Sequence, residues 1–137
     1  AGISWGFFSG ATRLSASYVL ETRLGLESPV LVAMEDAPSK PNPTGLLTAV
    51  AQLEAYEAIT SKLPVLYVGD TVADLYTVQR VKALDASRTW IGVGVLPPHV
   101  QNSTDYAADL YSAGAAIVLA NVEQLTPAQI MTLILTK

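Results

Sequence analysis

The sequence contains no cysteine, which excludes disulfides, thiolate metal ligands and a cysteine nucleophile. It contains one histidine, His99, placed after Pro97-Pro98 with no serine–acid set patterned around it, so His99 reads as a surface loop residue and not as part of a triad. Charge is scarce: 15% of the residues are Asp, Glu, Lys or Arg, against about 25% in ordinary soluble domains. No two basic residues are adjacent and the net charge is −4, which disfavours nucleic acid and anionic membrane surfaces as partners. No apolar stretch approaches the roughly 18–20 residues of a membrane span. Residues 1–5, Ala-Gly-Ile-Ser-Trp, lack a methionine, a basic region and the shape of a signal peptide, so the chain reads as starting mid-domain, with the cytoplasm as its compartment.

What is abundant is apolar material, half of all residues in a chain of 137, enough for the sizeable core of one domain spanning 1–137. It is arranged by alternation. Residues 3–8 form a short β-type run closed by Ser9-Gly10, and 12–24 have helical spacing, with Leu14, Val19, Leu20 and Leu24 on one side and Gly25 as a stop. A second strand, 29–34, is followed by a polar loop at 35–41. Asn42-Pro43 then opens a helix bearing Leu46, Leu47, Val50, Leu53 and Tyr56. A third strand at 65–68 leads to a helix over 72–84, and a fourth at 89–95 to a helix over 103–113 stopped by Gly114. A fifth strand, 115–119, precedes a last helix opened by the capping pattern Thr126-Pro127-Ala128-Gln129.

The strands are continuous apolar runs, the mark of strands buried on both faces. With helices between them, they predict an α/β domain with a doubly wound, mostly parallel sheet. Ligands bind such sheets beyond the carboxyl ends of the strands. Those ends carry Ser9-Gly10, then Glu35-Asp36 and Lys40, then Asp70 with Asp74 one helical turn further on. Two carboxylates at one rim repel unless a cation lies between them, and hard oxygen donors without cysteine favour Mg²⁺ over zinc. A serine hydroxyl with the amides of Gly10 and Ala11 suits phosphate oxygens. Each residue also has an ordinary role available: Asp70 as the cap of the helix that follows, Asp74 as a solvated helix residue, Ser9-Gly10 as a turn, Lys40 as a loop charge. The run GVGVLP at 92–97 fits neither glycine-rich nucleotide motif.

Taken jointly, FFSGAT, SKPNP and VGDTVAD, in this order and each at a strand end, resemble the second, third and fourth motifs of the haloacid dehalogenase-like superfamily. The likeness is to its phosphatase-like subfamily I members. RTWIGVGVLPP and AGAAIVLANVEQL resemble that family's closing strands, so the likeness runs from about Ile3 to Gln124. The resemblance implies a Mg²⁺-dependent phosphoric-ester hydrolase acting on a small phosphorylated metabolite. It implies Ser9, Gly10 and Lys40 for phosphate, Lys40 and Asp70 as catalytic residues, and Asp70 and Asp74 for Mg²⁺ directly or through its waters.

The family's first motif, an Asp-x-Asp supplying the nucleophile and the general acid/base, occurs nowhere in this sequence. The chain is therefore expected to be a C-terminal portion lacking the first strand and any cap domain, and to be inactive by itself. The missing strand lies, in the family fold, between the strands ending at Ser9 and Asp70. The gap is expected to be filled by an N-terminal segment or a second copy, or closed by rearrangement. Two other readings stay open: a non-catalytic descendant that binds a phosphorylated ligand or a protein, and an unrelated α/β interaction domain.

Overall fold

The computed structural model describes residues 3–98, 100 and 102–136. His99, expected in a surface loop, lies outside the described residues. The fold is α/β with two all-parallel sheets, one of two strands and one of three. Chain contacts divide it into two compact units, Ala1–Ser61 and Lys62–Lys137.

In the first unit β1 (Phe7–Phe8) pairs with β2 (Leu31–Val32), Phe7 opposite Leu31 and Phe8 opposite Val32. Both strands are shorter than the expected 3–8 and 29–34, because ladder pairing holds only where the two chains run side by side. Period-two alternation sends Phe7 to a cluster with Leu31, Ala33, Ala16, Leu20 and Leu26. Phe8 goes to the other side, where its ring fills the space a side chain at Gly45 would need. Gly45 sits in the first turn of α2 (Thr44–Tyr56), so the absent side chain is what lets this helix approach β1. The cap of α2 is Pro43, one position later than the expected Asn42, whose side-chain oxygen accepts from the Thr44 N–H at 2.9 Å.

The helix expected over 12–24 forms but is not uniform. It begins as α1 (Arg13–Ser17), capped by the Thr12 hydroxyl accepting from the Ser15 N–H. It then widens to a π-helical turn at Tyr18–Arg23, closed by the Leu24 N–H on the Val19 carbonyl at 2.9 Å. The wider turn changes the phase of the apolar stripe. Ala16 and Leu20 are buried, whereas Leu14, Val19 and Leu24, expected on the same side as Leu20, are exposed. Gly25 ends the segment at φ +72°, the left-handed conformation expected of a glycine stop.

The second unit is built on β3 (Val65–Gly69), β4 (Trp90–Val95) and β5 (Ile117–Leu119), with β4 in the middle. The WIGVGV sequence of β4 explains its two faces. Ile91 and Val93 pack with Leu119 and with Leu133 of α5 (Pro127–Leu135). Gly92 and Gly94 face the other way, against Leu75 of α3 (Val72–Leu84) and Leu110 of α4 (Ser103–Ser112). A Cβ on Gly92 would stand 2.7 Å from Leu75 Cδ1. Small residues thus draw two helices onto one face, while large ones meet the single helix on the other. The sheet is covered on both sides, as its continuous apolar runs require. Gly114, at φ +111°, ends α4 as expected, and the Thr126 hydroxyl caps α5 by accepting from the Gln129 N–H at 3.2 Å. Among the described residues no helix is long and apolar enough to cross a membrane.

Candidate functional site

The first unit gathers the residues that follow its two strands. Ser9 continues β1, its N–H bonded to the Val32 carbonyl at 2.9 Å. Lys40, 31 positions later in sequence, returns to the same place: its Nζ donates to the Phe8 carbonyl at 3.3 Å and lies 4.7 Å from the centre of the Phe8 ring. The ammonium is therefore held at the carboxyl end of β1, one residue from Ser9. Lys40 is joined to Pro41 by a cis peptide bond. Gly10 is exposed, and nothing lies within 4 Å of where its Cβ would be.

One expectation for this region is corrected. The Ala11 amide does not face outward for an anion; it donates to Ser9 Oγ at 3.1 Å. The Arg13 amide is likewise taken, by Glu35 Oε1 at 2.8 Å. Glu35 and Asp36, expected at the rim as free acids, secure the loop after β2. Asp36 forms an ion pair with Arg13 and accepts from the Ala33 N–H at 2.9 Å. The Ala33 bond and then the Arg13 guanidinium hold its carboxyl below the usual carboxylate value. The region presents the Ser9 hydroxyl and the exposed backbone at Gly10, beside a Lys40 ammonium that is itself held by the Phe8 carbonyl and ring.

In the second unit the two acids have separate situations. Asp70, just beyond Gly69 at the end of β3, is exposed. Asp74 is buried, 4% exposed, and turned back into the loop between β3 and α3. Its Oδ2 accepts from the Asp70 N–H at 3.1 Å, the Thr71 N–H at 3.1 Å and the Thr71 hydroxyl at 2.9 Å. Its Oδ1 accepts from the Tyr67 hydroxyl at 3.1 Å. The Thr71 hydroxyl in turn accepts from the Asp74 N–H at 3.3 Å, closing a reciprocal cap at the start of α3. The cap of α3 is thus Thr71; Asp70, weighed for that role from sequence, leaves its carboxylate outside. The Tyr106 hydroxyl donates to the Asp70 carbonyl, so the strand-end loop is tied from α4 as well.

Two phenols surround these acids. Burial first, then the Asp74 carboxylate and the hydrogen bond to it, push the Tyr67 phenol well above its ordinary value. Burial and then the carboxylates of Asp70, Asp74 and Asp109 push Tyr106 upward too. Neither tyrosine was a candidate from sequence, where Tyr67 read as one more apolar member of its strand. The available signal was its hydroxyl, since a buried phenol needs a partner and the nearest acid on that rim is Asp74.

The donor set suits a hard cation only in part. Asp70 offers an exposed carboxylate at a strand end, the kind of oxygen Mg²⁺ takes, usually with one or two carboxylates plus substrate oxygens and water. Asp74 already holds four hydrogen bonds and acts on the loop that presents Asp70. Among the described residues no group of three or more His, Asp or Glu side chains is arranged to hold a metal. Ser9, Gly10 and Lys40 belong to the first unit, and Asp70 and Asp74 to the second. In comparisons of sequence, neither a family model nor a curated protein matches this chain.

Proposed function

We propose that this chain is the phosphate- and metal-binding portion of a haloacid dehalogenase-like hydrolase, a phosphatase for a small phosphorylated metabolite. In this reading the nucleophilic aspartate comes from a strand that this sequence does not contain, and the protein works in the cytoplasm. The observation that carries the reading is the hydrogen bond from Lys40 Nζ to the Phe8 carbonyl, 3.3 Å long. It brings the lysine of SKPNP to the strand end that bears the serine of FFSGAT, two residue types that a phosphoryl group needs together.

Each unit has its part. Ser9 donates a hydroxyl proton to a phosphate oxygen, and the Lys40 ammonium offsets phosphate charge. In the second unit the exposed Asp70 carboxylate binds Mg²⁺, and Asp74 fixes the backbone on which Asp70 stands. Mg²⁺, when bound, supplies charge neutralisation for the transferring group. The finer fold belongs to the same proposal. Two separate parallel sheets, β1–β2 and β3–β4–β5, support a reading in which a further strand completes a doubly wound sheet. Among the described residues β1 pairs only with β2, and β3 only with β4. The bare edges then call for a companion segment or a second copy of the chain, because unpaired ladder groups are costly.

Titration of the chain with inorganic phosphate, followed by ³¹P line broadening, tests the phosphate half. Binding is expected and should weaken at least about tenfold in Lys40→Ala, the loss of one charge-assisted contact of about 1.4 kcal/mol or more. Binding that is absent, or equal in the variant, removes the observation on which the reading stands.

A further inference from the structure

The first unit has a second feature, at the opposite end of its strands from Ser9 and Lys40. A groove of about 210 Å³ lies beside the start of β2 and the end of α2, lined by Trp5, Leu53, Tyr56, Glu27 and Glu57 among others. Its aromatic members are open to solvent: Trp5 is 56% exposed and Tyr56 71%. Trp5 is nevertheless positioned, its ring packed edge-on to Phe7 with centroids 5.5 Å apart. Among the described residues neither Glu27 nor Glu57 is paired with a cation.

The backbone beside both glutamates is unusual. Ser28 has φ +42° and Ala58 φ +53°, and these are the non-glycine residues in left-handed conformation among those described. Each follows one of the two acids directly. Such conformations cost about 1–2 kcal/mol in an L-residue and cluster at binding sites. For Ala58 a local reason is present, since the Ile59 N–H reaches back to the Glu54 carbonyl at 2.8 Å to end α2. No helix end accounts for Ser28, which itself lines the groove.

We propose that this groove is a binding site for a small organic cation, an aryl or alkyl ammonium. The argument is charge complementarity joined to shape. Two carboxylates without a cationic partner favour a positive charge, and the faces of tryptophan and tyrosine attract one through their quadrupole. The apolar remainder of the lining suits a short hydrocarbon or ring attached to the charged group. A groove of about 210 Å³ has room for one such group. The site is independent of the hydrolase reading, because it uses none of Ser9, Lys40 or Asp70.

Phenethylammonium is the probe, with 2-phenylethanol as its uncharged counterpart. The chain has two tryptophans, Trp5 and Trp90, and Trp90 is buried, so the two indole N–H resonances separate a local from a general effect. The expected result is a saturable shift of the Trp5 signal with phenethylammonium and a steady Trp90 signal. Phenylethanol should bind at least about tenfold more weakly, and a Glu27→Gln, Glu57→Gln double variant should lose that preference. Both glutamates are exposed, so the variant is expected to keep the wild-type spectrum elsewhere. No Trp5 shift at millimolar probe, equal binding of the two probes, or a preference that survives the double variant overturns the proposal.

Discussion

Gly69 and Asp74 occupy each other's space: the Asp74 side chain fills the position that a Cβ on Gly69 would take. The glycine before Asp70 is therefore there to let the buried carboxylate reach the amides of Asp70 and Thr71. Gly69→Ala should destabilise the chain by about 1–3 kcal/mol through overpacking. Gly10→Ala, where the added methyl meets nothing within 4 Å, should stay within about 0.5 kcal/mol of wild type. Urea unfolding midpoints of the two variants make the comparison.

The two aspartates should separate in the same measurement. Asp74→Ala removes the acceptor of four hydrogen bonds and should cost about 2–3 kcal/mol. Asp70→Asn leaves that network in place and should change stability by less than about 0.5 kcal/mol. Equal losses would mean that Asp70 is also a structural residue.

Tyr67 links stability to alkaline pH. Its phenol keeps its proton in the folded state well above the usual 10.0. A raised value stabilises fully below pH 10, and the contribution is lost as pH rises further, because the unfolded chain ionises and the folded one does not. At pH 7, Tyr67→Phe should cost about 1.5–3 kcal/mol for the hydrogen bond to a carboxylate. That deficit should shrink above pH 10, where wild type weakens and the variant has no phenol to ionise at this position. Unfolding free energies between pH 7 and 11 give the curve.

Ala58 stands in a left-handed conformation at φ +53°, just past the end of α2. Ala58→Gly should therefore stabilise the chain by up to about 1 kcal/mol, read as a higher thermal midpoint. A loss of stability would mean that the methyl group makes a contact worth more than the strain.

Much of the second unit is legible in sequence because its signals are local. The 72–84 helix has the expected bounds, Gly114 stops α4, and the run over 89–95 reads directly as a strand. The first unit is harder. Its strands owe their two-residue length to pairing with one another, which no local pattern encodes. The π-helical turn inserts its phase change between Ser17 and Leu24 without a proline or glycine to announce it. At the candidate site the residue types were visible but not their roles. Thr71 and Asp74 have the spacing of a capping box, yet an acid at the strand end drew the cap to Asp70. That Asp74 is buried depends on Tyr67 and Gly69, whose contribution becomes clear only when the strand and helix are folded against each other.

The central claim is that these residues serve phosphoryl transfer with a nucleophile from elsewhere, and hydrolysis of p-nitrophenyl phosphate measures it most directly. Two samples are compared with and without Mg²⁺: this 137-residue chain and the full product of its gene purified from its own cell. The account expects no turnover by the chain alone. It expects Mg²⁺-dependent turnover by the full product, reduced at least about a hundredfold by Lys40→Ala or Asp70→Asn. Turnover by the isolated chain, or turnover in the full product that both substitutions leave intact, would contradict it.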